Sequence, residues 1–124
     1  MERLMDITPA QLERYRRSAR EREIARKQWL ATRRERASEL AHRAAELLKE
    51  EFGATRVVLF GSLLHAELFH AHSDIDLVVW DIQHYYRAVA RLLDLDPEIN
   101  FDLIPVEDAR PAILELVEKE GLDL

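Results

Sequence analysis

Residues 10–52 contain neither glycine nor proline. So long a stretch without a breaker predicts helix, either continuous or bent, and leaves only the remainder of the chain to build anything else. The start is well marked: Thr8 can cap, and Pro9 suits the first helical position. The stretch divides by its apolar face. Over 9–36 the face is thin, with Leu12, Tyr15, Ala19, Ile24, Trp29 and Leu30 among many charges. Such a helix should be mostly solvated, or completed by a partner. Over 37–52, Leu40, Ala44, Leu47 and Leu48 follow the i, i+4, i+7, i+8 stripe of a core helix, and Gly53 is a natural stop.

After Gly53 the pattern changes to short apolar runs between turns. Arg56–Phe60 (RVVLF) reads as a buried strand that ends at Gly61-Ser62. Residues 63–69 could form a short helix. Asp74–Trp80 (DIDLVVW) reads as a second strand and Glu98–Ile104 (EINFDLI) as a third. Between them, residues 83–94 predict a helix with Tyr86, Val89 and Leu93 on one stripe, ended by Pro97. A last helix over 109–120 is opened by Pro111 and closed by Gly121, and the final four residues could add an edge strand. The order α-α-β-α-β-α-β-α predicts an α/β (α+β) domain, a small mixed sheet with packed helices. The expected division is a basic helical extension over 1–36 and a globular domain over 37–124.

Charge supports that division. The chain has 124 residues and a net charge of −6, yet residues 13–36 hold ten of its eighteen basic residues against four glutamates. That segment is therefore +6 and the rest −12, by subtraction. A basic arm on an acidic body makes nucleic-acid or partner binding through the Arg-rich helix an expectation beside the plainer one of a solvated face. The absence of cysteine excludes disulfides, thiolate metal sites and thiol nucleophiles. No apolar run approaches the ~18 residues of a membrane span. Met1–Ile7 carries charges with no apolar h-region after it, so a signal peptide is not expected. A cytoplasmic protein is the expectation.

The chemistry lies in the strands. Asp74 and Asp76, two apart in a strand, project to the same face, with Ile75 and Leu77 on the other. Asp102 repeats the situation between Phe101 and Leu103. Aspartate is depleted in strands, and carboxylates near a core repel unless cations compensate them. Pairing of the strands could gather three hard oxygen donors, a set that suits Mg²⁺ or Mn²⁺. Gly61 lets backbone approach a phosphate closely, Ser62 offers a hydroxyl donor, and a helix opening there would present free N–H groups.

The string LFGSLLHAELFHAHSDIDLVVW resembles the minimal nucleotidyltransferases of the DNA polymerase β-like superfamily. The shared pattern is an apolar strand, Gly61-Ser62, eleven residues, Asp74-Ile75-Asp76 in an apolar strand, and a strand carboxylate, Asp102, twenty-six residues after Asp76. The resemblance covers about residues 40–120. It implies a polymerase β-like fold, ATP as substrate, and two Mg²⁺ ions on Asp74, Asp76 and Asp102. Asp102 would serve the acceptor-side ion and is the candidate to take the acceptor's proton, while Gly61, Ser62 and His65 would contact the nucleotide. It further implies pairing with a HEPN-family ribonuclease toxin, with AMP transferred to the toxin as one outcome. One stretch departs from the pattern: where relatives commonly carry Arg-Gly, this chain has Leu64-His65-Ala66-Glu67.

Other candidates have simpler expectations. His65, His70 and His72 read as loop histidines rather than metal ligands. Trp80, Tyr85 and Tyr86 read as packing residues, one of them available to stack on a base. Glu107 and Asp108 suit capping of the last helix. Rival functions are a non-catalytic antitoxin that acts by complex formation and an antibiotic-modifying nucleotidyltransferase. The second generally needs a further substrate domain, which a homo-oligomer would have to supply.

Overall fold

The computed structural model describes residues 6–124. Met1–Met5, which open the segment expected to lack a signal peptide, lie outside the described residues. Helix α1 (Pro9–Phe52) is a single continuous helix of 44 residues, about 66 Å long at the α-helical rise. Its start is the expected one, closed as a capping box. The Thr8 hydroxyl accepts from the Gln11 amide at 3.1 Å, and the Thr8 amide donates to the Gln11 side chain at 2.9 Å. Gly53 ends it in the left-handed region, φ 72°. The two expected helices are thus one: nothing at residue 36 breaks the backbone ladder, and only the environment changes.

Four strands follow, β1 (Arg56–Phe60), β2 (Ile75–Trp80), β3 (Phe101–Pro105) and β4 (Leu122–Asp123), together with α2 (Tyr85–Leu93) and α3 (Pro111–Glu120). The sheet order is β3-β2-β1-β4. β1 is antiparallel to β2 and β4, whereas β2 and β3 are parallel. The sheet is therefore mixed, as expected, and α2 supplies the crossover that a parallel pair requires.

Alternation along the strands makes two unequal layers. Val57, Leu59, Ile75, Leu77, Val79 and Leu103 form the main core with Ala37, Leu40, Ala41, Ala44 and Leu48 of α1 and Ala88 and Leu92 of α2. The opposite face carries Val58, Phe60 and Val78, covered by Val117 of α3. The expected stripe of α1 is all buried. Its N-terminal half is not: Leu12, Tyr15, Ile24 and Trp29 are exposed.

Three local expectations are corrected. Residues 63–69 form no α-helix; the segment is a 3₁₀ turn at Ser62–Leu64 followed by loop. With no cap and two bulky leucines directed differently, Leu63 buries and pulls the chain inward instead of continuing a helix. On α2, of the stripe Tyr86, Val89, Leu93, Val89 alone packs against the core. Ala88 and Leu92 are the buried residues and Tyr86 is 86% exposed, so the buried face is rotated from the expected one. Glu107 and Asp108 form a 3₁₀ turn (Val106–Asp108), and α3 starts from Arg110 with no side-chain cap, so neither acid caps it.

Candidate active site

Strand register decides the site. Asp76 of β2 and Asp102 of β3 are direct partners in the parallel ladder, so their side chains rise from the same face side by side. It is the face that α3 covers, but α3 packs around Val58, Phe60 and Val78 and leaves the aspartate end open. Asp102 is exposed and Asp76 half-buried. Asp74 stands just ahead of β2, exposed, and still influences Asp76 electrostatically.

Burial pushes the Asp76 carboxyl up to about 6, and the charges of Asp102 and Asp74 push in the same direction. Such a group is under strain as an anion and would be relieved by a cation. The donor chemistry is that of a hard divalent ion. Among the described residues no three His, Cys, Asp or Glu side chains form a ready-made metal cage.

Gly61 is fixed to its role by geometry. Its φ is 84°, and a Cβ there would collide with the Asp76 carboxylate. The backbone after β1 therefore passes directly over Asp76, and only glycine permits it. Ser62 follows at the first position of the 3₁₀ turn, half-buried. A three-residue turn does not provide the helix N-terminus expected for anion binding. His65 is turned to carboxylates: its Nε2 lies 3.0 Å from Glu120 and its Nδ1 3.7 Å from Glu67. The structure thus places Gly61 against Asp76 and Asp76 beside Asp102, and pins His65 to the last turn of α3.

The remaining candidates sort simply. His70 and His72 are exposed, and the His70 ring accepts from the His72 amide at 3.1 Å. Tyr85 is half-buried, and its hydroxyl donates to the Leu103 carbonyl at 2.8 Å; burial and the nearby Asp102 raise its pKa. The Arg56 guanidinium lies 4.5 Å over the Trp80 ring. Sequence reasoning missed Arg34, whose Nε donates to the Leu63 carbonyl at 3.0 Å and so ties α1 to the segment after Ser62. The signal was its phase, three and seven residues before Ala37 and Ala41, on the face that continues into the core.

No protein-family model matches the chain. No curated protein matches it. Solved structures do. An MntA–HepT toxin–antitoxin structure matches with a TM-score of 0.51 at 17% identity, over 69% of this chain and 69% of that one. A toxin–antitoxin structure with AMP-PNP matches with a TM-score of 0.55 at 20% identity, over 67% of this chain and 70% of that one. A structure of a tri-AMPylated Shewanella oneidensis HEPN toxin in complex with its MNT antitoxin gives 0.51 at 17%, over 70% of each chain. The chain has the fold of the minimal nucleotidyltransferase antitoxin MntA. No helix among the described residues is long and apolar enough to cross a membrane.

Proposed function

We infer that this chain is a nucleotidyltransferase that moves AMP from ATP to a hydroxyl of a HEPN-family partner, acting as that partner's antitoxin. The observation that carries this reading is the alignment of Asp76 and Asp102 on adjacent strands of an open face, with Gly61 held against Asp76. The neighbours with AMP-PNP and with an AMPylated HEPN toxin support the nucleotide and the acceptor.

Asp74, Asp76 and Asp102 would hold the divalent ion, which supplies charge neutralisation of the triphosphate and a more acidic acceptor hydroxyl. The chain's own groups do the rest. Gly61 and Ser62 receive phosphate oxygens, the backbone by close approach and Ser62 by its hydroxyl. The acceptor oxygen attacks the α-phosphorus, a new P–O bond forms, and the bond to the bridging oxygen of the β-phosphate breaks. Pyrophosphate leaves, and Asp102 takes the hydroxyl proton. The contribution of the protein is mostly position and electrostatics. The division into an arm over 1–36 and a catalytic domain over 37–124 is part of this proposal.

The test is incubation with labelled ATP, Mg²⁺ and a HEPN-domain protein from the same genome, followed by mass spectrometry of both proteins. An added AMP that depends on Asp76 is expected. No transfer with a bound partner would favour the second reading, a non-catalytic antitoxin. The observation on that side is the 64–67 stretch, where His65 is engaged by Glu67 and Glu120 and offers no free cation to a triphosphate.

A further inference from the structure

β3 is an edge strand, paired with β2 alone. Its outer edge therefore presents backbone groups that have no ladder partner. One of them is the Leu103 carbonyl, which belongs to the residue after Asp102 and accepts from the Tyr85 hydroxyl at 2.8 Å. Tyr85 is the first residue of α2, set there by His84, whose φ of 53° turns the chain into the helix. Its ring meets that of Tyr86 edge-on, with centroids 5.3 Å apart. Burial first, and the charge of Asp102 next, raise the Tyr85 pKa, so the hydroxyl keeps its proton and stays a donor. Among the described residues no hydrogen bond or ion pair fixes the Asp102 carboxylate itself. Its place relative to Asp76 is therefore set by the backbone of β3. The Leu103 side chain, sunk in the core, fixes the depth of that strand. The Tyr85 bond acts across it, in the plane of the sheet. Beside the bond a hollow of about 90 Å³ remains between α2 and β3, lined by Val89, Leu93, Phe101 and Asp102. Packing alone thus leaves room for the strand to shift.

We propose that Tyr85 is a positioning residue for the transfer: by holding the Leu103 carbonyl, its hydroxyl keeps Asp102 in place beside Asp76. The reaction meant is the nucleotidyl transfer proposed above, on which this role rests; the hold on the strand stands on its bond alone. Reacting groups tolerate little misplacement, and a shift of about 1 Å costs on the order of 10²-fold in rate. Sites are kept to such tolerances by hydrogen bonds behind the reacting side chains. Asp102 is exposed and has no such bond of its own, so the nearest one available is on the next residue of its strand. The effect is specific in kind. The triphosphate is assigned to Asp74, Asp76, Gly61 and Ser62, none of which lies on β3. Loss of the Tyr85 bond should therefore lower kcat and spare the binding of ATP.

The test uses the full chain and Tyr85→Phe, which removes the hydroxyl and keeps the ring. Amide hydrogen exchange is measured first, without ATP or metal. Peptides over residues 101–105 should exchange about tenfold faster in the variant, and those over 56–60 should change by less than about twofold. With labelled ATP, Mg²⁺ and a HEPN-domain protein, kcat should fall by about tenfold or more. The KM for ATP, and its affinity by calorimetry, should stay within about twofold of wild type. Leu40→Val is the matched control: it loosens the core from α1, far from the bond. Urea melts compare the stability of the two variants, and Leu40→Val should keep kcat within about twofold of wild type. Unchanged exchange of β3 in Tyr85→Phe would overturn the positioning whether or not the wild-type chain transfers AMP. A wild-type kcat in Tyr85→Phe would overturn its bearing on the reaction, and so would an equal loss in Leu40→Val. A fall in ATP affinity alongside kcat would make Tyr85 a nucleotide contact and overturn the proposal as well. Faster exchange of β3 with no transfer by the wild-type chain would strike the reaction and uphold the hold of Tyr85 on the strand.

Discussion

Two regions of this chain concentrate like charge, and they do so under opposite conditions. The arm spreads ten cations over a solvated helix. There most charges keep their water, Arg33 and Arg34 near the body excepted, and pairs such as Arg26–Glu23, 2.7 Å apart and both largely exposed, add little. The sheet sets Asp76 against Asp102 on neighbouring strands, with Asp74 nearby, and the Asp76 carboxyl rises to about 6. The same Coulomb repulsion is negligible in one place and costly in the other, because burial removes the water that would screen it. A costly arrangement that persists in a fold is where a working site is to be looked for. An inexpensive one marks a surface, whose use depends on what meets it.

The largest effect should come from the costly region. Asp102→Asn keeps shape and removes the proton acceptor, so transfer to the partner should fall by about 10³-fold or more. ATP binding, measured by calorimetry with Mg²⁺, should largely survive, since the triphosphate is assigned to Asp74, Asp76, Gly61 and Ser62. A variant that bound ATP as poorly as Asp74→Asn would erase that division of labour.

The next effect locates the boundary between the two regions. Asp96 is a buried carboxylate, 4% exposed. It accepts from the Glu98 amide at 2.7 Å and from Arg36 Nε at 2.5 Å. The Glu98 amide first, and then Arg36, hold its pKa below the usual value. A lowered pKa gives stability that is present above the unfolded value and lost as pH falls through the folded one. Asp96→Ala should cost about 2 kcal/mol in urea melts near neutral pH, by leaving the Glu98 amide without its acceptor and Arg36 without its partner. The cost should shrink as pH falls below the usual carboxylate range and through the lowered value of the folded state. An Asp96→Ala protein as stable as wild type would mean that residues near Arg36 belong to the arm after all.

Much of this was legible in the sequence. Thr8-Pro9, Gly53, Gly61, Pro111 and Gly121 punctuate the elements, and each acts through backbone geometry that depends on its neighbours only. The alternation in DIDLVVW set the face of Asp76 correctly, because strand period is fixed at two. Its register against Asp102 was legible only as an option, since pairing is a tertiary fact. The face of α2 was only partly read: Val89 packs against the core, but Ala88 and Leu92 are buried while Tyr86 and Leu93 face outward. The ties from Arg33, Arg34 and Arg36 to Glu98, Leu63 and Asp96 span 65, 29 and 60 residues of sequence. No local pattern reports contacts of that range. They tie the last turns before residue 36 to the body, as does Leu30, which packs against the core.

A third experiment turns the strain of the site into a gain. The Asp76 pKa is raised from 3.8 to about 6, so between those values the folded state binds more protons than the unfolded. Stability contributed by this group therefore increases as pH falls through about 6 and is lost above it. In metal-free protein near pH 7.5, Asp76→Asn should stabilise the fold by about 1–2 kcal/mol, a value discounted for the screening of a half-buried group. The advantage should vanish near pH 4, and Mg²⁺ with ATP should raise the melting temperature of wild type but not of the variant. Equal stability of the two proteins at pH 7.5 without metal would show that Asp76 carries no strain.

The smallest effect belongs to the arm. Within residues 9–28 Arg20 pairs with Glu13 and Arg26 with Glu23, and every described apolar side chain among them except Ala19 is exposed. The core stripe starts at Ala37, and the first ties to the body come from Leu30, Arg33 and Arg34. Deleting residues 1–28 therefore removes helix without removing packing. A new helix end at residue 29 needs fresh capping, a change of about 1 kcal/mol at most. The melting temperature should shift by only a few degrees, on the order of 4 °C per kcal/mol for a domain of this size. Circular dichroism should lose helix signal in proportion to the residues removed, with the sheet unchanged. ATP binding should stay at the wild-type value, because none of the deleted side chains reaches the aspartates. Association with the partner should weaken, since most of the arm's cations go with the cut. A deletion further on, at residue 35, should behave differently, because it also strips Arg33 and Arg34 from Glu98 and Leu63. If both truncations melted alike and well below wild type, the arm would be part of the body and the contrast between the two charge clusters would collapse. If the shorter deletion alone kept the fold and lost the partner, the helix up to residue 28 would be a surface held out for another molecule, built at almost no expense to the domain that carries it.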